Sequence, residues 1–379
     1  LSAADQHRAS ETLRVFSLDA EWGRLRAMRK IAVSGYVNDA DTAFNAGWPP
    51  DDIRAYFAEE LQILNTIAKK MTQARFANGA LSLETEEVKF KLDEKGVPVD
   101  VYVKVRGDTH KLIEEYMLLA NKYVSKFITK KQEEKAGEGK GICIYRVHDK
   151  PDADRMHDLD LYIRGLGHHV RFMDGLIPSQ DLNALLKKLE GHPEKDLLQM
   201  HITRSMAKAV YSTKNIGHYG LAFDYYSHFT SPIRRYPDVL THRLLMRVLE
   251  NDYPREEERP LYDRLCVQAS NREKEAADAE RGSVKYKQVE YMSYRLGQQF
   301  DGVISGVSEW GLFVSEKKSK CEGMIRLRDL GNDFYVYDQK NSRVFGERTG
   351  IEWKIGTPVK IKVKAANLDL RVIDYELVA

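Results

Sequence analysis

Apolar residues recur at helical or strand-like spacing along most of the chain. Helical spacing predicts a long amphipathic helix over 53–71. Residues 80–105 then alternate apolar and polar positions around a glycine and proline turn, which predicts a hairpin. A second long amphipathic helix is predicted over 108–128. The charged, glycine-containing segment 130–141 is predicted to follow it as an exposed loop.

The C-terminal part of the chain changes its pattern twice. Residues 269–292 are highly polar and predict one continuous helix. From Gly297 onward, strand-like segments alternate with glycines, which predicts a compact five-stranded β-barrel. We therefore expect an α+β protein with two domains, residues 1–296 and residues 297–379.

Charge and cysteine content exclude several protein classes. The 379 residues include 59 Lys and Arg against 57 Asp and Glu, so any polyanion site must come from local placement of cations. The three cysteines lack CxxC spacing, which argues against a disulfide framework or a zinc site. No run of 18 apolar residues and no apolar signal core is found, so we expect a soluble cytoplasmic protein.

Residues 217–243, GHYGLAFDYYSHFTSPIRRYPDVLTHR, concentrate groups that suit phosphate chemistry. They hold three His, three Arg and two Asp around a Thr-Ser-Pro turn signal. Cleavage of a phosphodiester concentrates negative charge on the phosphoryl oxygens, and a planar Arg held in place can stabilise that charge through two parallel hydrogen bonds. A structural turn that pairs internally is the alternative explanation of the same residues.

The predicted barrel carries aromatic side chains on or near its first strands and lysines that alternate along a later strand. These residues are Phe300, Trp310, Phe313, Lys360, Lys362 and Lys364. Aromatic faces stack on bases while lysines neutralise phosphates, which is the combination that single-stranded nucleic acid needs. For each aromatic ring, a place in the barrel core is an equally good explanation.

Several motifs resemble those of one enzyme family, in the order that the family has them. Residues 218–242, HYGLAFDYYSHFTSPIRRYPDVLTH, resemble the signature of the RNase II and RNase R exoribonucleases. The other matching segments are ALSLETEEVKF, HKLIEEYMLLAN, YRVHDKP, MAKAVYS and AER. The C-terminal segments FDGVISGVSEWGLFV, EGMIRL and LDLRVIDYEL resemble an S1-type RNA-binding domain. The resemblance covers residues 80–379 well and residues 1–79 only loosely.

The resemblance implies a fold, a reaction and a partner. The fold would be the C-terminal portion of an RNB-type α/β catalytic domain with a narrow RNA channel, followed by an S1-type barrel of the OB kind. The reaction would be processive 3′-to-5′ hydrolysis that releases nucleoside 5′-monophosphates, with Mg²⁺ as the cofactor. We expect single-stranded RNA as the partner, no membrane association and a monomer.

The resemblance also implies catalytic residues. Arg234 would be the catalytic arginine. A Glu of the HKLIEE helix and the Glu of AER would lie near the RNA 3′ end, which indicates Glu114 or Glu115, and Glu280. Glu114 is favoured because Asn121, seven positions later, shares its helix face.

Further residues are candidates for RNA binding. Ser231 would fix the turn, and the side chains around it would shape the phosphate and ribose pocket. Phe44 stands where the family places a tyrosine that clamps the terminal base, and Phe keeps a stacking face without the hydroxyl. The pocket candidates are Glu115, Asn121, His218, Tyr226, His228, Arg235 and His242.

One family motif is absent from the chain. The family holds its magnesium with four aspartates in a DxxxxxDxDD arrangement upstream of these motifs, and nothing here matches it. We therefore expect no metal ligands in this chain and little activity from the chain alone. Three explanations stay open, of which we favour the first: a fragment of an exoribonuclease, a natural relative that binds RNA without cleaving it, or an unrelated function on the same scaffold.

Overall fold

Helices and strands cover most of the described chain. The computed structural model describes residues 58–83, 87–104, 106–137, 139–192, 194–338 and 343–378, so Phe44 and the predicted helix start at residue 53 lie outside it. The described α-helices are α1 (Ala58–Ala77), α2 (Asp108–Ala136), α3 (Ala153–Gly165), α4 (Ser179–Lys188), α5 (Glu194–Ser205), α6 (Tyr236–Leu249) and α7 (Arg259–Ser293). The described strands are β1 (Glu87–Leu92), β2 (Pro98–Lys104), β3 (Tyr145–Val147), β4 (Val210–Ser212), β5 (Gln299–Ser308), β6 (Gly311–Glu316), β7 (Glu322–Arg326), β8 (Tyr335–Asp338), β9 (Arg343–Gly346), β10 (Glu352–Lys354), β11 (Pro358–Asn367) and β12 (Val372–Leu377). None of the described helices has the length and apolar character needed to cross a bilayer.

The predicted hairpin is confirmed, and the second predicted helix is longer than expected. β1 and β2 pair antiparallel. α2 continues to Ala136, so the prediction of a loop over 130–141 was wrong for its first seven residues. Gln132 explains the difference, because its buried side-chain amide donates to the Ile142 carbonyl (2.8 Å) and accepts from the Ile142 N–H (2.9 Å). Lys–Glu pairs three residues apart add support along the same turns.

Helices α3, α4 and α5 enclose a small core of their own. Its fully buried members are Met156, Ile163, Ile177, Leu182, Leu198 and Ile202. α3 begins behind Asp152, whose carboxylate accepts from the N–H groups of Asp154 (3.0 Å) and Arg155 (3.3 Å). Asp152 is therefore the N-cap of α3.

The short strands β3 and β4 support segment 217–243. They pair antiparallel and contribute Tyr145 and Tyr211 to a buried cluster that Leu244 of α6 and Cys266 of α7 complete. The N–H of Arg146 on β3 donates to the carbonyl of Tyr226 at 2.8 Å. The candidate segment is thus attached to the core through its backbone.

The predicted five-stranded barrel is confirmed. β5, β6, β7, β12 and β11 close in that order around Ile304, Val314 and Tyr375, which are fully buried. The same apolar cluster includes Val289 and Met292 of α7, so the barrel packs directly on the helix that precedes it. β8, β9 and β10 form a separate three-stranded sheet that the hydrophobic pattern does not predict.

Candidate functional site

The turn before α6 exposes one of two neighbouring arginines and holds the other toward the protein interior. Ser231 O accepts from the N–H groups of Arg234 (3.3 Å) and Arg235 (3.1 Å), which closes the turn. Asp238, in the first turn of α6, accepts at Oδ1 from Ser231 N–H and from Arg235 Nη2, both at 2.7 Å. Because Asp238 is fully buried, it draws Arg235 inward and leaves Arg234 exposed.

An aromatic and histidine cluster lies behind this turn. The Tyr226 ring meets the rings of His218 and His228 edge-on, with centroids 5.3 and 5.7 Å away. Asn121 of α2 donates to the Tyr226 hydroxyl (3.3 Å) and accepts from the Phe229 N–H (3.0 Å). Asn121 is itself buried, so it positions these groups rather than facing solvent.

His242 also holds the backbone beside the turn. Its ring stacks on Phe229 with centroids 4.1 Å apart, and its Nε2 lies 2.8 Å from the Phe229 carbonyl oxygen. This contact makes Nε2 the protonated nitrogen if the ring is neutral. His242 therefore fixes the path of the chain between His228 and Ser231.

Burial keeps two histidines of the cluster neutral. Burial, then the nearby Arg235 and Arg146 guanidinium groups, lowers the pKa of His228 to about 3. Burial and the neighbouring His148 ring lower the pKa of His218 to about 3. Rings with such pKa values carry no charge at neutral pH, so here they can stack and form hydrogen bonds but do not act as cations.

Arg146 and Glu273 join the cluster and were not found by sequence reasoning. Arg146 Nη1 lies 2.5 Å from Glu273 Oε2, and its guanidinium carbon lies 4.7 Å from the centroid of the Tyr211 ring. The Tyr211 hydroxyl is 2.8 Å from His228 Nδ1. Glu280, which the resemblance indicates, lies exposed on α7 about two turns beyond Glu273. The one available signal was YRVHDKP, which contains Arg146.

The two candidate glutamates of α2 have different environments. Glu115 is buried and forms an ion pair with Arg75 of α1. Glu114 forms an ion pair with Arg106, and its side chain is 43% exposed. Glu114 is therefore the more accessible carboxylate of the two, on the helix face that also carries Asn121.

The aromatic residues of the barrel divide between its interior and its surface. Phe300 packs against the barrel core opposite the buried Ile361 in the β5–β11 register, so the core explanation fits it. Trp310, in the turn before β6, is 70% exposed, and Phe313 on β6 is 36% exposed. These two rings remain accessible to a ligand.

The lysines of β11 lie opposite carboxylates. Lys362 Nζ is 2.6 Å from Glu376 Oε1, and Lys364 Nζ is 2.8 Å from Asp329 Oδ2. Lys360 is exposed and faces Asp301 across the β5–β11 pair. The predicted cationic row therefore presents less net charge than its sequence indicates.

The resemblance implies magnesium, and the described residues do not fit it. Among the described ranges, no group of three His, Cys, Asp or Glu side chains is arranged to hold a metal ion. A hard cation of this kind takes several oxygen ligands, mainly from carboxylates. The described part of the chain thus contains exposed guanidinium groups and aromatic rings but no cluster of candidate metal ligands.

Comparison with known proteins identifies the family. The RNB domain model matches residues 27–251, which is more than half of the chain. The chain belongs to the RNB-domain family. Ribonuclease R of Vibrio cholerae is 37% identical over 330 residues, and that of Thermotoga maritima is 36% identical over 338 residues. These matches cover 84% and 87% of this chain but 39% and 46% of the relatives, so the chain spans less than half of their length.

Solved structures of RNB proteins share the fold. Mycoplasma genitalium RNase R in complex with ribose methylated single-stranded RNA matches with a TM-score of 0.81 at 22% identity, covering 90% of this chain and 53% of that one. Yeast Ssd1, a pseudonuclease, matches with a TM-score of 0.59 at 19% identity, covering 81% of this chain and 37% of that one. The RNase R family resemblance and the mixed helix and sheet fold are confirmed; the roles of single residues stay predictions.

Proposed function

We propose that the chain is part of an RNase R-like exoribonuclease that degrades single-stranded RNA processively, 3′ to 5′, to nucleoside 5′-monophosphates. The observation that carries this proposal is the turn at 231–235, which exposes Arg234 while Asp238 holds Arg235 inward. An exposed guanidinium on a fixed turn suits the charge that develops on a scissile phosphate. The similarity to ribonuclease R relatives supports RNA as the substrate.

The groups behind the turn would receive the terminal nucleotide. His218 and His228, which are half-buried, offer uncharged ring edges that suit bases and sugars better than phosphates, and the buried Tyr226 would hold these two rings in place. Glu114 is the accessible carboxylate for a ribose hydroxyl, and such a bond would distinguish RNA from DNA. Asn121 and His242 would act by holding Tyr226 and Phe229 in place.

Catalysis would require carboxylates from outside the described residues. Bound Mg²⁺ would activate water and neutralise charge on the phosphate, and the described residues contain no cluster of ligands to hold it. The isolated 379-residue chain, given Mg²⁺ and a labelled single-stranded oligoribonucleotide, should release almost no mononucleotide. Robust metal-dependent release in that assay would refute the expectation that the chain lacks its metal ligands.

Arg234→Lys tests the catalytic assignment in an enzyme that includes the aspartate motif. Lys keeps the charge but loses the planar fork, so single-turnover cleavage should fall by roughly 10²-fold or more while RNA affinity changes little. Arg235→Lys is the neighbouring control, and its main effect should be a lower melting temperature, because Arg235 pairs with the buried Asp238. Equal, small losses of cleavage rate in both variants would make the turn purely structural.

A non-catalytic RNA-binding relative is the alternative function. Two observations favour it: the absence of a metal-ligand cluster among the described residues, and the fold similarity to a protein described as a pseudonuclease. In that case the full-length natural protein, assayed without substitutions, would bind RNA and fail to cleave it. The single-turnover assay of the wild type separates the two functions.

We also propose that the protein is cytoplasmic and monomeric. All three cysteines are buried and unpaired, which suits a reducing compartment. Light scattering of the purified chain would measure its mass in solution and so test whether it is a monomer.

A further inference from the structure

Helix α2 exposes a row of lysines beside a row of aromatic rings. Between Glu115 and Glu133 the helix contains four lysines and no acidic residue. Lys122, Lys126 and Lys130 are four positions apart and therefore share one side of the helix. Tyr123 and Phe127 follow the same spacing, so they form a parallel row. We call these five residues the α2 ridge.

Four of the five ridge residues are exposed and Lys122 is half-buried, whereas the opposite face of α2 forms the core. Tyr123 is 59% exposed and Phe127 is 39% exposed, and Lys126 is exposed between them. On the opposite side, Ser125 and Ile128 have no exposed surface. Large rings among lysines are not the composition of an apolar packing face, because a protein core would have to bury the ammonium groups as well.

The ridge begins at the candidate site. Lys122 is the ridge residue nearest this cluster, because its Nζ lies 4.9 Å from the centroid of the Phe223 ring. The Phe223 ring lies 5.8 Å from Tyr226. From Lys122 to Lys130 the helix rises about 12 Å. A strand that leaves the cluster along α2 would therefore meet lysines and rings in regular alternation.

We propose that the α2 ridge is an additional binding surface for single-stranded RNA. Bases stack on Tyr123 and Phe127, and Lys122 and Lys126 neutralise the adjoining phosphates. Lys130 contributes less, because its Nζ is 2.8 Å from Glu133 Oε2. The proposal rests on the proposed function, since it takes RNA as the ligand. It adds a surface outside the cluster that holds the terminal nucleotide.

The test measures RNA affinity of the full 379-residue chain by fluorescence anisotropy, with labelled single-stranded oligoribonucleotides of roughly 20 nucleotides. Tyr123→Ala should weaken binding about 5-fold or more, and Tyr123→Phe should bind like the wild type, because it keeps the stacking face. Lys126→Gln should reduce the slope of log affinity against log salt by about 0.7, as expected for one lost phosphate contact. Melting temperatures should be unchanged.

Two matched variants serve as controls. Tyr294 is also 59% exposed, and Lys188 is exposed on α4, so Tyr294→Ala and Lys188→Gln should bind like the wild type. Wild-type affinity and salt slope in the ridge variants, with weaker binding in Arg234→Ala, would overturn the ridge and leave the proposed function intact. A clearly lower melting temperature for Tyr123→Ala with unchanged affinity would show that protein covers the ridge, and would also overturn it. Failure of the wild-type chain to bind RNA would reject both proposals.

Discussion

Asp238 controls the candidate site from inside the protein. It is fully buried, and it accepts from both Ser231 and Arg235. Asp238→Ala should lower the free energy of unfolding by about 3–5 kcal/mol, because Arg235 would stay partly buried without its counter-charge. Urea unfolding measures this loss. Asp238→Asn keeps an acceptor oxygen and should lose less; a loss as large as that of the alanine variant would show that charge alone holds the turn.

The neutral histidines predict a loss of stability in acid. His218 and His228 have pKa values of about 3 when folded, whereas an unfolded histidine titrates near about 6.5. Between these values only the unfolded state takes up protons, so stability is full above about pH 6.5 and falls toward pH 3. The slope is up to about 1.4 kcal/mol per pH unit for each histidine. His228→Gln should make the dependence measured between pH 7 and pH 5 shallower, and an unchanged slope would contradict a buried neutral ring.

Sequence reasoning at the residue scale succeeded where local geometry decides the outcome. The Thr-Ser-Pro signal predicts a turn, and the structure has one that exposes Arg234. The choice of a glutamate on α7 is different, because Glu273 and Glu280 are seven positions apart within a polar stretch of that helix. They differ in a tertiary contact, because Glu273 pairs with Arg146. A contact between residues far apart in the chain leaves no pattern in the local sequence, so it could not be predicted.

At the scale of elements, long periodic segments were predictable and short or tertiary-supported ones were not. Helices α1, α2 and α7 and the barrel follow from spacing, but the last turns of α2 depend on hydrogen bonds between Gln132 and Ile142 across a loop. The strands of the three-stranded sheet have three or four residues each, too few to show a period.

The barrel surface yields a prediction that separates stacking from charge. Trp310 is 70% exposed, and the lysines of β11 lie opposite carboxylates. Trp310→Ala should therefore weaken single-strand binding about 5-fold or more, while Lys362→Gln should change affinity less than about twofold. Anisotropy titrations of both variants provide the measurement. If Lys362→Gln weakened binding more than Trp310→Ala, the lysines of β11 would be the main RNA contact of the barrel.

At the scale of the whole molecule, α7 belongs to both halves. Its 35 residues run from the cluster that holds Cys266 to the barrel core that holds Val289 and Met292. Removal of residues 297–379 would therefore expose apolar side chains on α7 as well as remove the barrel. Single substitutions on the barrel surface test RNA binding more cleanly than that deletion.

Because one continuous helix joins the two halves, α7 fixes the distance between the candidate site and the barrel. Glu273, beside the candidate site, and Met292, against the barrel, are separated by about 29 Å of helix. An α-helix keeps its length, so the distance between the candidate site and the barrel surface is the same whatever the RNA sequence. Oligonucleotides too short to span that distance should gain no affinity from the barrel, and longer ones should show a step in affinity at one particular length.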